Sequence, residues 1–148
     1  MRFVVATLVL AVFLAPACGG GSSSNPAAPT PQTLEGTWRA TRAEFVSNAN
    51  SSRRVEIISQ GATLTLAFSG TNYTLTMTEP GQPPDVQTGT WSASTDIMTL
   101  KPSGVTWNIQ FDMTFSGNNL TLNGGGVQFD FNSGVFEEAK LNMTLVRQ

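Results

Sequence analysis

The sequence contains no histidine and only one cysteine, Cys18, among its 148 residues. The lack of histidine removes the side chain that most often serves as a general base or as a metal ligand. The lone cysteine excludes an intrachain disulfide, because that bond needs two thiols. Serine and threonine are plentiful, but no Gly-x-Ser-x-Gly motif and no histidine are present to activate them as nucleophiles. These absences predict a protein that is not an enzyme and that carries no metal or organic cofactor.

Charged residues are also scarce, with 8 lysines and arginines, 10 aspartates and glutamates, and a net charge of −2. This composition leaves no basic face for nucleic acid. The only adjacent carboxylates, Glu137 and Glu138, would point to opposite faces of a strand, which disfavours a lyase or isomerase that uses paired carboxylates. Oxygen-bearing side chains around Gly134 leave a calcium loop open as an alternative. Their spacing does not follow the twelve-residue calcium pattern, and it favours a hairpin turn.

The N-terminus carries the pattern of an export signal. Arg2 supplies a positive charge, residues 3–14 form an apolar run of 12 residues, and the small residues Ala15 and Ala17 follow. The run is too short to span a bilayer, which takes about 20 residues, and it has the length of a secretory signal core. We therefore predict a signal peptide over residues 1–17.

Together with Cys18, this segment resembles the signal peptide of a bacterial lipoprotein. The resemblance implies cleavage before Cys18, a lipid on Cys18 and anchoring of the chain to a membrane of the bacterial cell envelope. Gly19 stands where an aspartate would signal retention in the inner membrane, so the resemblance favours the outer membrane. The sequence departs from the family in having Ala15 where leucine is usual. Ordinary cleavage after Ala17, which would release a soluble protein with a free thiol, stays open as the alternative.

Residues 19–33 consist almost wholly of Gly, Ser, Asn, Ala, Pro and Thr. A segment of this composition cannot bury a core and is typical of a flexible tether. The sequence therefore predicts three parts. They are the signal peptide at 1–17, the lipid-bearing cysteine and linker at 18–33, and one folded domain at 34–148.

Apolar and polar residues alternate through most of this domain. In the stretch 104–117, every second side chain from Val105 to Phe115 is apolar and those between them are polar. This period of two predicts a strand with one buried and one solvated face, and it excludes a helix. The same pattern recurs in shorter stretches between turn-forming residues. The predicted strands lie at residues 37–46, 54–59, 62–70, 72–78, 86–93, 97–101, 104–117, 119–123, 127–131 and 139–147.

About eight to ten strands with short connections favour an antiparallel meander. Closure of the meander into an up-and-down β-barrel removes its exposed strand edges, so we predict an all-β barrel. A β-sandwich would bury the same faces and is the second choice. Because the inward faces carry large apolar side chains, we expect an interior that is filled or nearly filled, with room for at most one small ligand.

The motif Gly36-Thr37-Trp38 resembles the first strand of the lipocalin superfamily, which carries Gly-x-Trp there. The resemblance covers residues 34–148 in outline and implies a lipocalin-like barrel in which Trp38 caps the closed end. In lipocalins a basic residue of the last strand packs over this tryptophan, so the resemblance implies that Arg147 does so here. Such a cation–π contact contributes about 0.5–2 kcal/mol. The longer loop motifs of classical lipocalins find no convincing match, so their ligand chemistry is not carried over.

A second Gly-Thr-Trp occurs at residues 89–91. Because the residues that follow the two copies do not keep matching, we interpret the repeat as one structural requirement met twice rather than as a duplicated ligand site. Glycine permits a bend or a close backbone approach. Tryptophan fills a barrel end with its N–H near an acceptor at the rim.

Four large residues on the predicted inward faces are candidates to line a ligand pocket: Tyr73, Trp107, Phe111 and Phe129. The alternative, which we favour for so small a domain, is that they pack against one another as core. Since the lipocalin resemblance implies a small apolar ligand, we predict a non-enzymatic envelope lipoprotein with that binding function. The alternative function is a protein-interaction barrel such as a periplasmic protease inhibitor. Some of these inhibitors share the small barrel and a Gly-Thr-Trp opening, and insert their N-terminal segment into the protease.

Overall fold

The computed structural model describes residues 31–148. The predicted signal peptide, Cys18 and most of the predicted tether therefore lie outside the described residues. The described chain begins with a single helical turn and continues as nine strands. These elements are α1 (Pro31–Leu34), β1 (Gly36–Ser47), β2 (Arg54–Glu56), β3 (Thr63–Ser69), β4 (Asn72–Thr78), β5 (Asp85–Ala93), β6 (Ile97–Pro102), β7 (Ile109–Ser116), β8 (Asn119–Asp130) and β9 (Phe136–Arg147). No helix in this part of the chain has the length and apolar character that a membrane crossing requires.

Eight of the strands form a closed antiparallel barrel. Each strand from β3 to β9 pairs with its neighbour in sequence, and β1 pairs with both β3 and β9. The short strand β2 pairs with the last part of β1, beyond the point where β3 leaves it. The predicted all-β, up-and-down barrel is confirmed. Because the pairing of β1 with β9 closes the ring, the β-sandwich alternative is wrong.

The up-and-down order places successive connections at alternate ends of the barrel. One end holds the short turns β3–β4, β5–β6 and β7–β8, together with α1 and the C-terminal end of β9. We call it the closed end. The opposite end, which we call the open end, holds the β1–β3, β4–β5, β6–β7 and β8–β9 connections, each of which is longer than any turn at the closed end.

The strand boundaries differ most from prediction in β7 and β8, while the end of β2 at Glu56 and the start of β9 at Phe136 each lie three residues from the predicted bound. The strand predicted at 104–117 begins only at Ile109, because Gly104 bends the backbone with a φ of 81° and β6 pairs with β7 only as far as Ile109. The two strands predicted at 119–123 and 127–131 are the single strand β8. Gly124, with a φ of 80°, lies where the pairing of β8 with β9 shifts register.

Buried apolar side chains fill the half of the barrel nearest the closed end. They include Trp38, Leu66, Phe68, Trp91, Met98, Leu120 and Leu145. The other half is not filled, since a cavity of about 1230 Å³ occupies it. The expectation of a filled interior is therefore wrong. Small side chains, such as Ala62 and Ala139, stand at inward positions of this half, and they leave space that a ring of eight strands encloses.

Candidate functional site

Trp38 and Arg147 close one end of the barrel. They are direct partners in the pairing of β1 with β9, and the Arg147 guanidinium carbon lies 4.4 Å from the centroid of the Trp38 ring. Trp38 is fully buried and donates its indole N–H to the carbonyl oxygen of Leu34 at 2.8 Å. The Arg147 guanidinium donates to the carbonyl oxygens of Thr33 and Glu35. Three consecutive carbonyls at the end of α1 are thus held against the barrel, and the buried Leu34 side chain seals this end.

The second Gly-Thr-Trp copy lies at the same closed end, although β5 runs in the direction opposite to β1. Trp91 donates its indole N–H to the carbonyl oxygen of Gly70 at 3.0 Å, and its ring lies 4.5 Å from that of Phe68. Gly89 has no room for a side chain, because a Cβ there would lie 2.1 Å from the Lys101 carbonyl oxygen. Among the described residues that border the cavity, neither Trp38 nor Trp91 is found. In both copies the tryptophan therefore packs at the closed end of the barrel, with its indole N–H on a backbone carbonyl oxygen.

The cavity opens at the other end and is large enough for a small organic molecule. Its volume of about 1230 Å³ exceeds the roughly 300–1,000 Å³ of a common ligand pocket. All nine strands contribute to its lining. The apolar part of the wall includes Leu64, Leu75, Met77, Leu100, Leu141 and Met143. Residues of the four open-end connections, such as Gln60, Gln82 and Asn132, border the mouth, so the cavity is continuous with solvent.

Three of the four residues predicted to line a pocket border this cavity. Phe111 is buried at 2% exposure, and Phe129 stacks on Phe45 with ring centroids 3.9 Å apart. Trp107 borders the cavity from the β6–β7 connection and is 49% exposed, whereas the alternation predicted it on a buried strand face. That placement was wrong because Trp107 precedes β7 and has no strand partner.

Tyr73 lies closer to the closed end and is not among the described residues that border the cavity. It is 1% exposed, and its hydroxyl donates to Oε1 of Gln87 at 3.1 Å. Burial raises the pKa of Tyr73 to about 12, because the phenolate would lose its hydration. Gln87 itself borders the cavity, so Tyr73 positions a polar side chain of the wall.

Sequence motifs point to only some of the polar residues of the lining, because Asp130 and Glu138 lie in the stretch around Gly134 that left a calcium loop open. The carboxylates at the cavity are Glu79, Asp85, Asp130 and Glu138. Asp85 continues the inward face of β5, two residues before Gln87. The signal that would have found it is the inward period of two of β5, followed from Trp91 through Gly89 and Gln87 to Asp85.

Glu56 fixes the β1–β3 connection, which brings Ile57 and Ala62 to the cavity. Its carboxylate accepts the backbone N–H groups of Ala43 at 2.8 Å, Ile58 at 3.2 Å and Ser59 at 2.6 Å. Partial burial alone would raise the pKa of the Glu56 carboxyl. The hydrogen bonds to its ionised form outweigh this effect, and the pKa is lowered.

The β8–β9 connection is a turn held by one carboxylate. Asp130 accepts the backbone N–H groups of Ser133 at 2.8 Å and Gly134 at 3.1 Å. Gly134 has a φ of 72°, in the left-handed region that glycine tolerates. This is the geometry of a hairpin turn. Within residues 31–148, no group of three or more acidic or cysteine side chains is arranged to hold a metal ion.

Comparison with known proteins agrees with this architecture. The family model of the lipocalin-like domain matches residues 34–122, which is more than half of the chain. No curated protein and no solved structure matches the chain. The matched segment begins at Leu34, includes the Gly-Thr-Trp of β1 and runs into β8, so it takes in seven of the eight barrel strands at least in part. The chain therefore belongs to the lipocalin-like domain family.

Proposed function

We propose that the protein binds a small apolar molecule in the open cavity of its barrel. A lipocalin-like barrel suggests small-ligand binding, and the family is generally non-enzymatic. The observation that carries the proposal is the cavity itself, with about 1230 Å³ of space and a wall that includes apolar side chains such as Leu64, Met77 and Met143. Burial of apolar ligand surface there contributes roughly 25 cal/mol per Å² removed from water.

A fluorescence titration tests this proposal. The probe is N-phenyl-1-naphthylamine, an uncharged molecule whose emission rises when it leaves water. We expect saturable binding to the unmodified protein. The variant Leu75→Trp/Val127→Trp should bind the probe more weakly, because both side chains border the cavity and because β4 and β8 are four strands apart in the ring of eight.

The matched control is Val86→Trp/Lys140→Trp, which places two tryptophans at exposed positions outside the cavity lining. The control should bind the probe as the unmodified protein does. No saturable binding to the unmodified protein would refute the proposal, as would equal binding to both double variants.

We also propose that the barrel is held at a bacterial membrane surface through a lipid on Cys18. The support is the sequence alone, namely the apolar run at 3–14, the small residues before Cys18 and the tether-like composition of 19–33. Mass spectrometry of the protein from bacterial membranes tests this proposal. The expected N-terminal peptide begins at a Cys18 that carries acyl chains, whereas a free thiol that reacts with iodoacetamide would contradict it.

The protease-inhibitor alternative stays a prediction, because the segment that would enter a protease precedes Leu34 and lies almost entirely outside the described residues. A protease retained by the full mature chain, but not by residues 34–148, would favour it over ligand binding.

A further inference from the structure

The charged residues that border the cavity are all of one sign. Within residues 31–148 they are Glu79, Asp85, Asp130 and Glu138, and no lysine or arginine borders the cavity. Arg53, an exposed cation of the β1–β2 connection, is already engaged, because its guanidinium lies 2.7 Å from the Glu137 carboxylate and 5.2 Å from the Phe131 ring centroid. An anion that enters the cavity therefore meets uncompensated negative charge.

The strand pattern places two of these carboxylates on the inward side of the wall. Asp85 is the direct partner of Met77 in the pairing of β4 with β5, and it lies on the same face of β5 as Gln87. Glu79 follows Met77 by two residues and continues the inward face of β4 at the rim. Both carboxylates are exposed, so they keep their hydration while they border the mouth.

We infer that the preferred ligand carries a positive charge, with its apolar body in the cavity and an ammonium-type group at the open end beside Glu79 and Asp85. This inference rests on the proposed function, because the cavity is the binding site and the carboxylates only select among the molecules that fit it. Trp107, half-exposed in the same lining, adds an aromatic ring of the type that attracts cations.

The expected selectivity is modest because the carboxylates are solvated. One exposed pair of opposite charges changes an affinity by about 1.4- to 5-fold, and an anion experiences the reverse. Because the cation gains this factor and the anion loses it, one carboxylate separates their affinities by about 2- to 25-fold, and the second carboxylate widens the difference. The preference should shrink at high salt, since exposed charges are screened within about 10 Å at 0.1 M ionic strength.

Three ligands with one common chain test the inference: decyltrimethylammonium and decanoate, each below its micelle concentration, and decanol below its solubility limit. Their affinities are measured by displacement of N-phenyl-1-naphthylamine at low and at high salt. We expect the cation to bind most tightly and the carboxylate most weakly. The variant Glu79→Gln/Asp85→Asn should weaken cation binding by about 2- to 10-fold and leave decanol binding unchanged.

The matched control is Asp96→Asn/Asp112→Asn, which removes the same charge at exposed positions that do not border the cavity. It should leave all three affinities unchanged. If decanol binds but decanoate binds as tightly as the cation, the charge inference is refuted and the proposed function stands. An unaltered preference in the Glu79→Gln/Asp85→Asn variant would also refute the charge inference. If none of the three ligands binds, the proposed function and the inference both fail.

Discussion

Replacing Gly125 with alanine should force Phe111 out of its position in the barrel. An added Cβ at Gly125 would lie 2.0 Å from Cε1, 2.3 Å from Cζ and 2.7 Å from Cδ1 of the Phe111 ring. Real Cβ contacts are almost never closer than 3.0 Å, so the buried ring must leave its rotamer and shift toward the cavity that it borders. Overpacking of this kind costs about 1–3 kcal/mol of unfolding free energy. The midpoint of thermal unfolding should therefore fall by roughly 4–12 °C.

Gly126→Ala is the control for this prediction, because a Cβ there meets nothing within 4 Å and Gly126 does not adopt a left-handed φ. It should change the unfolding free energy by no more than about 0.5 kcal/mol. The double variant Gly125→Ala/Phe111→Leu should be destabilised less than the sum of its two single variants, since leucine lacks the ring atoms that clash. Urea unfolding of the four proteins measures this coupling. Simple additivity of the two costs would refute the steric explanation.

Three further predictions concern polar groups. Glu56→Ala should lower the unfolding free energy by about 1–3 kcal/mol at pH 7 because it leaves the N–H groups of Ala43, Ile58 and Ser59 without their acceptor. Since folding lowers the pKa of Glu56, its contribution to the unfolding free energy is present above pH 4.5 and is lost as the pH falls through the folded-state pKa. In urea unfolding from pH 7 to pH 3, the unfolding free energies of the unmodified protein and the Glu56→Ala variant should therefore converge. Tyr73 is the only tyrosine, and its ultraviolet absorbance should change near pH 12 in the folded protein, against pH 10.0 in the unfolded protein. Because folding raises this pKa, the unfolding free energy should fall by about 2–3 kcal/mol as the pH rises from 10 to 12. A Tyr73→Phe variant should not show this decrease. Arg147→Ala should lower the unfolding free energy by roughly 1–3 kcal/mol, and Arg147→Lys should lower it by less. Lysine recovers only part of the loss because it lacks the planar guanidinium that donates to two carbonyl oxygens and covers Trp38. Equal stability of the Arg147→Lys variant and the unmodified protein in urea unfolding would contradict this.

Alternation was sufficient to predict the strands and their inward faces, because a period of two is a property of each strand alone. It failed at Val105 and Trp107, where the polar and apolar residues still alternate but the chain has left the sheet. A strand requires a neighbouring strand that hydrogen-bonds along its whole length, and β6 pairs with β7 only as far as Ile109. A single sequence does not show where such a pairing ends. In β8, likewise, the left-handed Gly124 shifts the register without ending the strand.

The cavity was not predictable for a related reason. An inward residue packs in the core near the closed end or borders the cavity near the open end, according to its position along the barrel axis. That position is set by the register in which neighbouring strands pair. Tyr73 and Phe111 have the same character in the sequence, yet only Phe111 borders the cavity. The free volume further depends on which small residues meet at one level, such as Ala62 and Ala139, and these belong to distant parts of the chain.

The methionine methyl groups provide the most direct test of ligand binding in the cavity. Met77 and Met143 border it, whereas Met98 and Met113 are buried in the barrel interior and are not among its described lining residues. In a methyl NMR titration with N-phenyl-1-naphthylamine, the resonances of Met77 and Met143 should shift saturably while those of Met98 and Met113 stay nearly fixed. Saturable probe binding that leaves Met77 and Met143 unshifted would contradict the account, because the ligand would then lie outside the cavity.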